Sequence, residues 1–321
     1  MFLKLFLTVF SIFLMMGFGF IAKKIRLINT DTTREMSHAI IKFFYPALIF
    51  SSLVNNFTVK SLLLNVSLPI GTLIIMVIGF IYGLLFSKVT LFTNQKEENS
   101  FRFLCTMNNY TFLPLPIILM LWGNKGVAML IFSSLGAEIC IWTLGIFSLT
   151  GTTLSRKNLK QVLSVPLLTI IFSFFIIVIR DSFLVNNLIF INNPIFSQLS
   201  KSLMSVLDVF GKACIPIAMF IVGGKMAELR WKYMFDVKLI YLSAIRLLII
   251  PATSLAVFYF LPFTKNVNLI ISVVAIMPSA IASVYLSEVY DSDVRFSSKG
   301  VLITHLFSLI TIPLWLYFIL R

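Results

Sequence analysis

Met107-Asn108-Asn109-Tyr110-Thr111-Phe112-Leu113-Pro114-Leu115-Pro116 sets two amides, two hydroxyl side chains and two prolines in ten consecutive positions. The run lies inside an apolar stretch from about Phe101 to Trp122. Proline removes a backbone donor and clashes with the preceding turn, so a helix through this stretch is expected to open here and to leave carbonyls and N–H groups in need of partners. In lipid such groups are tolerated only where protein buries them or where they line a wet cavity, which marks the run as a candidate site. A half-helix starting between Tyr110 and Pro116 would point its N-terminus into the protein, carrying roughly half a positive charge from aligned peptide dipoles. Proline suits that first turn. A second half-helix is expected near Pro278-Ser279. If the two breaks cross, their positive ends converge, and the amides of Asn108 and Asn109 with the hydroxyls of Tyr110, Thr111 and Ser279 supply donors for a carboxylate. The same side chains would serve equally as caps on frayed helix ends, and both readings stand at this point.

Among the ionisable residues within or near the ends of apolar stretches, Glu138, Arg246 and His305 are singled out. Ionisable groups at membrane depth are expensive, so each is a candidate for ion coupling. Glu138 with Arg246 is alternatively a buried structural pair. His305 can titrate near neutral pH; the plainer expectation is an interfacial position close to Lys299. Cys105, Cys140 and Cys214 show no metal-ligand spacing and read as small hydrophobes. With two histidines, no phosphate-binding glycine loop, no nucleophile elbow and no nucleotide fingerprint, the sequence offers no catalytic residue, metal centre or cofactor site.

The elements that must position these residues follow from composition. The 321 residues are 59% hydrophobic and 12% charged, and the mean hydropathy of +1.00 is that of an all-α integral membrane protein. Period-two alternation is absent, which argues against a barrel. Ten apolar stretches approach the ~20 residues that a helix needs to cross a bilayer: about 5–21, 39–54, 62–86, 101–122, 127–149, 163–179, 203–224, 239–261, 268–287 and 301–320. The stretch 5–21 resembles a secretory h-region, but its strongest charge follows it and no small-residue cleavage site appears, so it is expected to stay as the first helix. The net charge of +14 is spread over interhelical loops instead of forming one stripe, so no nucleic-acid partner is expected. Alternating the loops between the two faces puts 17 of the 26 basic residues on one side and 8 on the other, with Arg246 inside a span. The positive-inside rule then places both termini outside the cytoplasm of a cell-membrane protein.

Pro46 and Pro216 are 170 positions apart, as are Asn108-Asn109 and Pro278-Ser279. The shared offset indicates an internal repeat. Five spans per repeat is an odd number, so the two repeats must run in opposite directions through the membrane, the plan of many secondary transporters. By connection length the chain divides into 1–180, a connecting segment 181–202 and 203–321. By span count the helix at 163–179 opens the second repeat, which puts the repeat boundary near 155–162. The apolar, Asn-rich portion Phe183–Phe196 is read as an interfacial helix.

The motifs Phe44-Tyr45-Pro46-Ala47-Leu48-Ile49-Phe50-Ser51-Ser52-Leu53, Asn109-Tyr110-Thr111-Phe112-Leu113-Pro114-Leu115-Pro116, Pro216-Ile217-Ala218-Met219 with Gly223-Gly224, and Met277-Pro278-Ser279-Ala280 together resemble the auxin efflux carrier family. That family includes the plant PIN auxin exporters and bacterial permeases proposed to carry malate or malonate. The short middle loop is similar to that of the bacterial branch. The resemblance implies ten helices in two inverted five-helix repeats, with the fourth and ninth helices broken and crossing near the substrate. It also implies a scaffold of helices 1, 2, 6 and 7, often dimeric, against which the other helices move. Asn109 matches the family's asparagine at the first break and Pro278 the proline of the second. Tyr45, Pro46, Pro216 and Met219 would then be the scaffold groups nearest the crossing; packing and kinking are their other reading. Thr111 and Pro114 stand where glycines are usual, which implies a stiffer and narrower break and leaves the substrate open.

The expected function is therefore a secondary transporter of a small organic anion, a mono- or dicarboxylate, working by alternating access, with proton coupling as a further expectation. A membrane-embedded sensor using the same cavity is the alternative. The expected partners are the anion, the lipid bilayer and a second copy of the chain, with no cofactor.

Overall fold

The computed structural model describes residues 2–88, 92, 94–151, 164–184, 194–228 and 236–321. The repeat boundary at 155–162, most of the segment Phe183–Phe196 and the loop residues Arg156, Lys157, Lys160, Arg230 and Lys232 lie outside them. Among the described residues every regular element is helical. In chain order they are α1 (Phe2–Lys24), α2 (Thr30–Ala39), α3 (Tyr45–Asn56), α4 (Val59–Leu64), α5 (Ser67–Ser87), α6 (Gln95–Thr106), α7 (Pro114–Cys140), α8 (Ile146–Thr150), α9 (Val165–Ile179), α10 (Pro194–Glu228), α11 (Val237–Ala244), α12 (Ile250–Phe260), α13 (Lys265–Ala275), α14 (Ala282–Val289) and α15 (Val294–Ile319). Short polar side chains start many of them. Asn29, Thr58, Asn94, Ser164, Asp236, Thr264 and Asp293 each accept a first-turn N–H that has no partner within its helix.

Among the described residues, seven helical segments are long and apolar enough to cross a membrane: 30–56, 59–87, 114–150, 165–182, 197–228, 237–260 and 294–319. The chain is a multi-pass membrane protein whose described residues form only helices as regular elements. Three of the ten expected stretches fall outside this set. The first is carried by α1, the stretch 101–122 is shared between α6 and the start of α7, and 268–287 is shared between α13 and α14. Within α7 the backbone turns at Gly123, whose φ of 63° and ψ of −160° belong to a region open only to glycine, and this turn separates the stretches 101–122 and 127–149.

Wider π turns join several helices end to end. Ile40–Phe44 links α2 to α3 and Ile245–Ile249 links α11 to α12, each just before a proline, Pro46 and Pro251. A proline within a helix leaves the carbonyl four residues back without its donor. For Pro251 that carbonyl is Leu247, and the indole N–H of Trp315 donates to it at 2.8 Å.

Helices α1, α3, α9 and α10 pack on one another, while α5, α6, α7 and α11 to α15 form a second group; α3 with α7 and α1 with α15 join the groups. The first group is tied by a backbone-to-backbone crossing of α1 and α10. A Cβ on Gly19 would lie 1.8 Å from the Phe220 carbonyl oxygen, and one on Gly223 would lie 1.7 Å from that of Met16. Only hydrogen fits there, as at close helix contacts in membranes generally. In the second group Gly79 and Gly83 hold α5 against the last turns of α6, where a Cβ on Gly79 would meet the Cys105 carbonyl oxygen at 2.4 Å. These two glycines therefore set the position of the chain just before residue 107.

Candidate functional site

Regular helix stops at Thr106 and resumes at Pro114; it stops again at Ala275 and resumes at Ala282. The two non-helical segments meet as a short antiparallel pair, Asn108 opposite Ser279. Asn109 N–H donates to the Pro278 carbonyl at 2.7 Å and Ala280 N–H donates to the Met107 carbonyl at 2.9 Å. Asn108 and Ser279 are completely buried and Asn109 is 5% exposed. Each segment thus takes up backbone groups that the other leaves free, which is what irregular chain inside a membrane requires.

Arg246 sits beneath this pair with no exposure at all. The π turn Ile245–Ile249 carries it, and its guanidinium donates to the carbonyls of Cys105 at 3.0 Å, Met277 at 3.1 Å and Ala275 at 3.2 Å. Cys105 and Ala275 lie in the last turns of α6 and α13. One cation therefore serves the negative ends of two helices, each equivalent to roughly half an elementary charge. This corrects the expected Glu138–Arg246 pair. Backbone dipoles, not a carboxylate, balance the arginine, and Glu138 is engaged elsewhere: Tyr110 donates to its Oε1 at 3.1 Å and Ser164 to its Oε2 at 3.0 Å.

His305 is also placed differently from the interfacial expectation. It is fully buried in α15, with Nδ1 2.8 Å from the Val301 carbonyl and Nε2 3.3 Å from Nδ2 of Asn109. A carbonyl accepts only, so Nδ1 carries the proton and Nε2 accepts from the Asn109 amide.

Four of the five donors expected to hold an anion are engaged within the protein. Asn108 Nδ2 donates to the Val274 carbonyl at 2.5 Å, Asn109 Nδ2 faces His305, Tyr110 donates to Glu138, and Ser279 donates to the Leu104 carbonyl at 2.8 Å. The α7 N-terminus is equally committed. Pro114 and Pro116 have no N–H, Leu115 N–H donates to the Thr111 carbonyl at 3.1 Å, and Leu113 N–H reaches Asn109 Oδ1 at 3.4 Å. The buried polar atom at the pair that no partner satisfies is Asn108 Oδ1, an acceptor.

A second polar cluster joins the two packing groups. Tyr45 of α3 lies beside Thr111, Ser134 and Glu138, and its ring meets Phe112 at 5.9 Å between centroids. Ser164 belongs to α9 in the first group, whereas Tyr110 and Glu138 belong to the second, so the Glu138 carboxylate bridges the groups. Ser164 was not among the sequence candidates, although Ser164-Val165-Pro166 is a legible cap with proline in the first turn. Pro114, Pro116 and Pro278 are buried at the two segments, and Met219 is 1% exposed in the same core cluster as Leu113 and Met277. Pro46 is half-buried. Pro216 lies on the exposed face of α10, away from the others.

Residues 4–316 match the membrane transport protein family. An uncharacterized transporter of Methanocaldococcus jannaschii is 23% identical over 308 residues, covering 94% of this chain and 95% of its own length. An uncharacterized transporter of Methanothermobacter thermautotrophicus is 24% identical over 321 residues, covering 96% of each. With paired helix interruptions and a family match across nearly the full length, the chain belongs to the membrane transport protein family, that of the auxin efflux carriers, and is a membrane transporter.

Proposed function

We propose that the protein is a secondary transporter of a small organic anion, a mono- or dicarboxylate, that works by alternating access in the cell membrane with both termini outside the cytoplasm. The observation that carries this reading is the antiparallel pair between Asn108 and Ser279, 171 positions apart, which joins the interruption at 107–113 to that at 276–281. Positions related by nearly the repeat offset meet each other, as they should on the axis of an inverted repeat. On this reading α6 with the start of α7, and α13 with α14, are the broken fourth and ninth of ten helices. The group of α1, α3, α9 and α10 is the static scaffold, and a scaffold of this kind is where a second copy would attach.

Because four of the five expected donors are engaged, this form is closed at the crossing. Substrate entry requires exchange of those internal hydrogen bonds, and the hydroxyl and amide groups concerned can make that exchange by side-chain rotation. Glu138 is the proposed proton-coupling residue, since its carboxylate spans both groups through two hydroxyl donors and a proton on it would remove one acceptor.

Flux into proteoliposomes is the direct test, with radiolabelled malate, malonate, lactate, pyruvate and indole-3-acetate as probes. Saturable uptake of at least one acid, above that of empty liposomes, is expected. Thermal stabilisation by an acid without any flux would instead support a sensor.

A further inference from the structure

A cavity of about 380 Å³ lies between α3 and α10, next to the Gly123 turn, and its lining includes Ser51, Asn55, Asn124, Lys201, Ser205 and Asp208. None of these residues is at the crossing. Both helices belong to apolar segments long enough to span a membrane, where polar groups on a lipid face are costly. Their polar residues fall into stripes. On α3, Ser51, Ser52, Asn55 and Asn56 recur at helical spacing; on α10, Lys201, Ser205, Asp208 and Lys212 do the same at intervals of four, three and four. Leu199 and Leu203, 67% and 58% exposed, occupy other faces of α10. Two polar stripes facing one cavity, with apolar residues on the remaining faces, is the pattern of a water-filled space.

Two charged residues line it, Lys201 and Asp208. Asp208 is paired at 2.6 Å with Lys212, the next polar residue along the stripe, while Lys201 has no ion pair among the described residues, so Lys201 is the charge of the lining that no partner offsets. A smaller cavity of about 190 Å³ also reaches Asn56 and includes Lys125 in its lining. One sign of charge over a recessed, low-dielectric wall concentrates ions of the opposite sign, and the amides of Asn55 and Asn124 add donors. Ser51 of the lining stands six residues along α3 from Tyr45, about 9 Å of helix, and the Tyr45 ring packs against Phe112 of the first interruption.

We infer that this cavity is an aqueous vestibule that gathers small anions, with Lys201 as the recruiting charge. Its place as the entry to the crossing rests on the transport reading above; its water access and its charge preference do not. The test uses full-length protein in membranes open on both faces, with the anionic sulfonatoethyl and the cationic trimethylammonium-ethyl methanethiosulfonates as probes. Cys105, Cys140 and Cys214 are buried, so the unsubstituted chain is the blank. Ser205→Cys should react with both probes, Asn55→Cys should confirm it from the opposite wall, and Leu203→Cys should stay unlabelled. Normalised to a free thiol, the anionic probe should react faster than the cationic one, and Lys201→Gln should reduce that ratio by about threefold or more, the effect of one charge about a turn away in salt-screened water. Unreactive thiols at both 205 and 55, labelling of Leu203→Cys as fast as of Ser205→Cys, or a ratio unmoved by Lys201→Gln would each overturn the vestibule. Labelling needs no flux, so failure of the transport reading and failure of this one remain distinct.

Discussion

The crossing has two ends built on different principles. At the end where α6 and α13 stop, a single buried guanidinium meets three backbone carbonyls, acceptors fixed in the main chain. At the end where α7 begins, contacts run through rotatable groups: the Asn109 amide, the Tyr110 hydroxyl and the Glu138 carboxylate with its second donor, Ser164. The first end holds two helices as one body. The second combines contacts that can be remade with a bond to the neighbouring packing group, which is what a moving part needs at its boundary.

The largest effect that would break this contrast is expected at the rigid end. Arg246→Met strands three carbonyls, each costing about 1–3 kcal/mol when buried without a partner, partly offset by no longer desolvating a cation. The variant should unfold at distinctly lower temperature in detergent, with Arg246→Lys in between; melting equal to that of the parent protein would show that the arginine does not hold the two helix ends. Gly223→Leu comes next, because its side chain would enter the Met16 backbone, and it should prevent assembly of α1 on α10, read as loss of a monodisperse species on gel filtration. At the exchangeable end, Glu138→Gln should preserve melting to within about 1–2 kcal/mol, since an amide oxygen still accepts one hydroxyl. It should also make uptake indifferent to an imposed pH gradient; uptake that still follows the gradient would remove Glu138 from coupling. The smallest expected effect sharpens the picture of how Arg246 is aimed. Trp315→Phe leaves the Leu247 carbonyl without its donor and should cost about 1 kcal/mol, and Pro251→Ala in the same chain should recover it by supplying a backbone N–H, measured as a double-mutant cycle.

Much of this was readable from residues. The Asn- and Pro-rich run falls where α6 gives way to α7, Pro278-Ser279 falls between α13 and α14, and Gly123 lies in the gap between two apolar stretches. Proline, glycine and clustered amides leave a signature because they act on their own backbone. The roles of Arg246 and His305 left none. The partners of Arg246 are carbonyls, which every residue possesses, and His305 meets Asn109 across 196 positions through the packing of α15. Side-chain chemistry alone also overstated the free donors at the site, because a sequence lists each amide and hydroxyl without the carbonyl that occupies it. Asn108 shows the consequence: its amide N–H is taken by Val274, and the oxygen is left over.

The central claim is that the buried pair of segments around Asn109 is the path of the substrate and not merely a well-capped pair of helix ends. Asn109→Ala tests it most directly, with flux of the transported acid and thermal unfolding measured on the same preparation. Removing one amide from an internal network should cost only about 1 kcal/mol of stability, while flux is expected to fall at least tenfold. A stable Asn109→Ala protein with full flux would contradict the claim and leave the pair as structure alone.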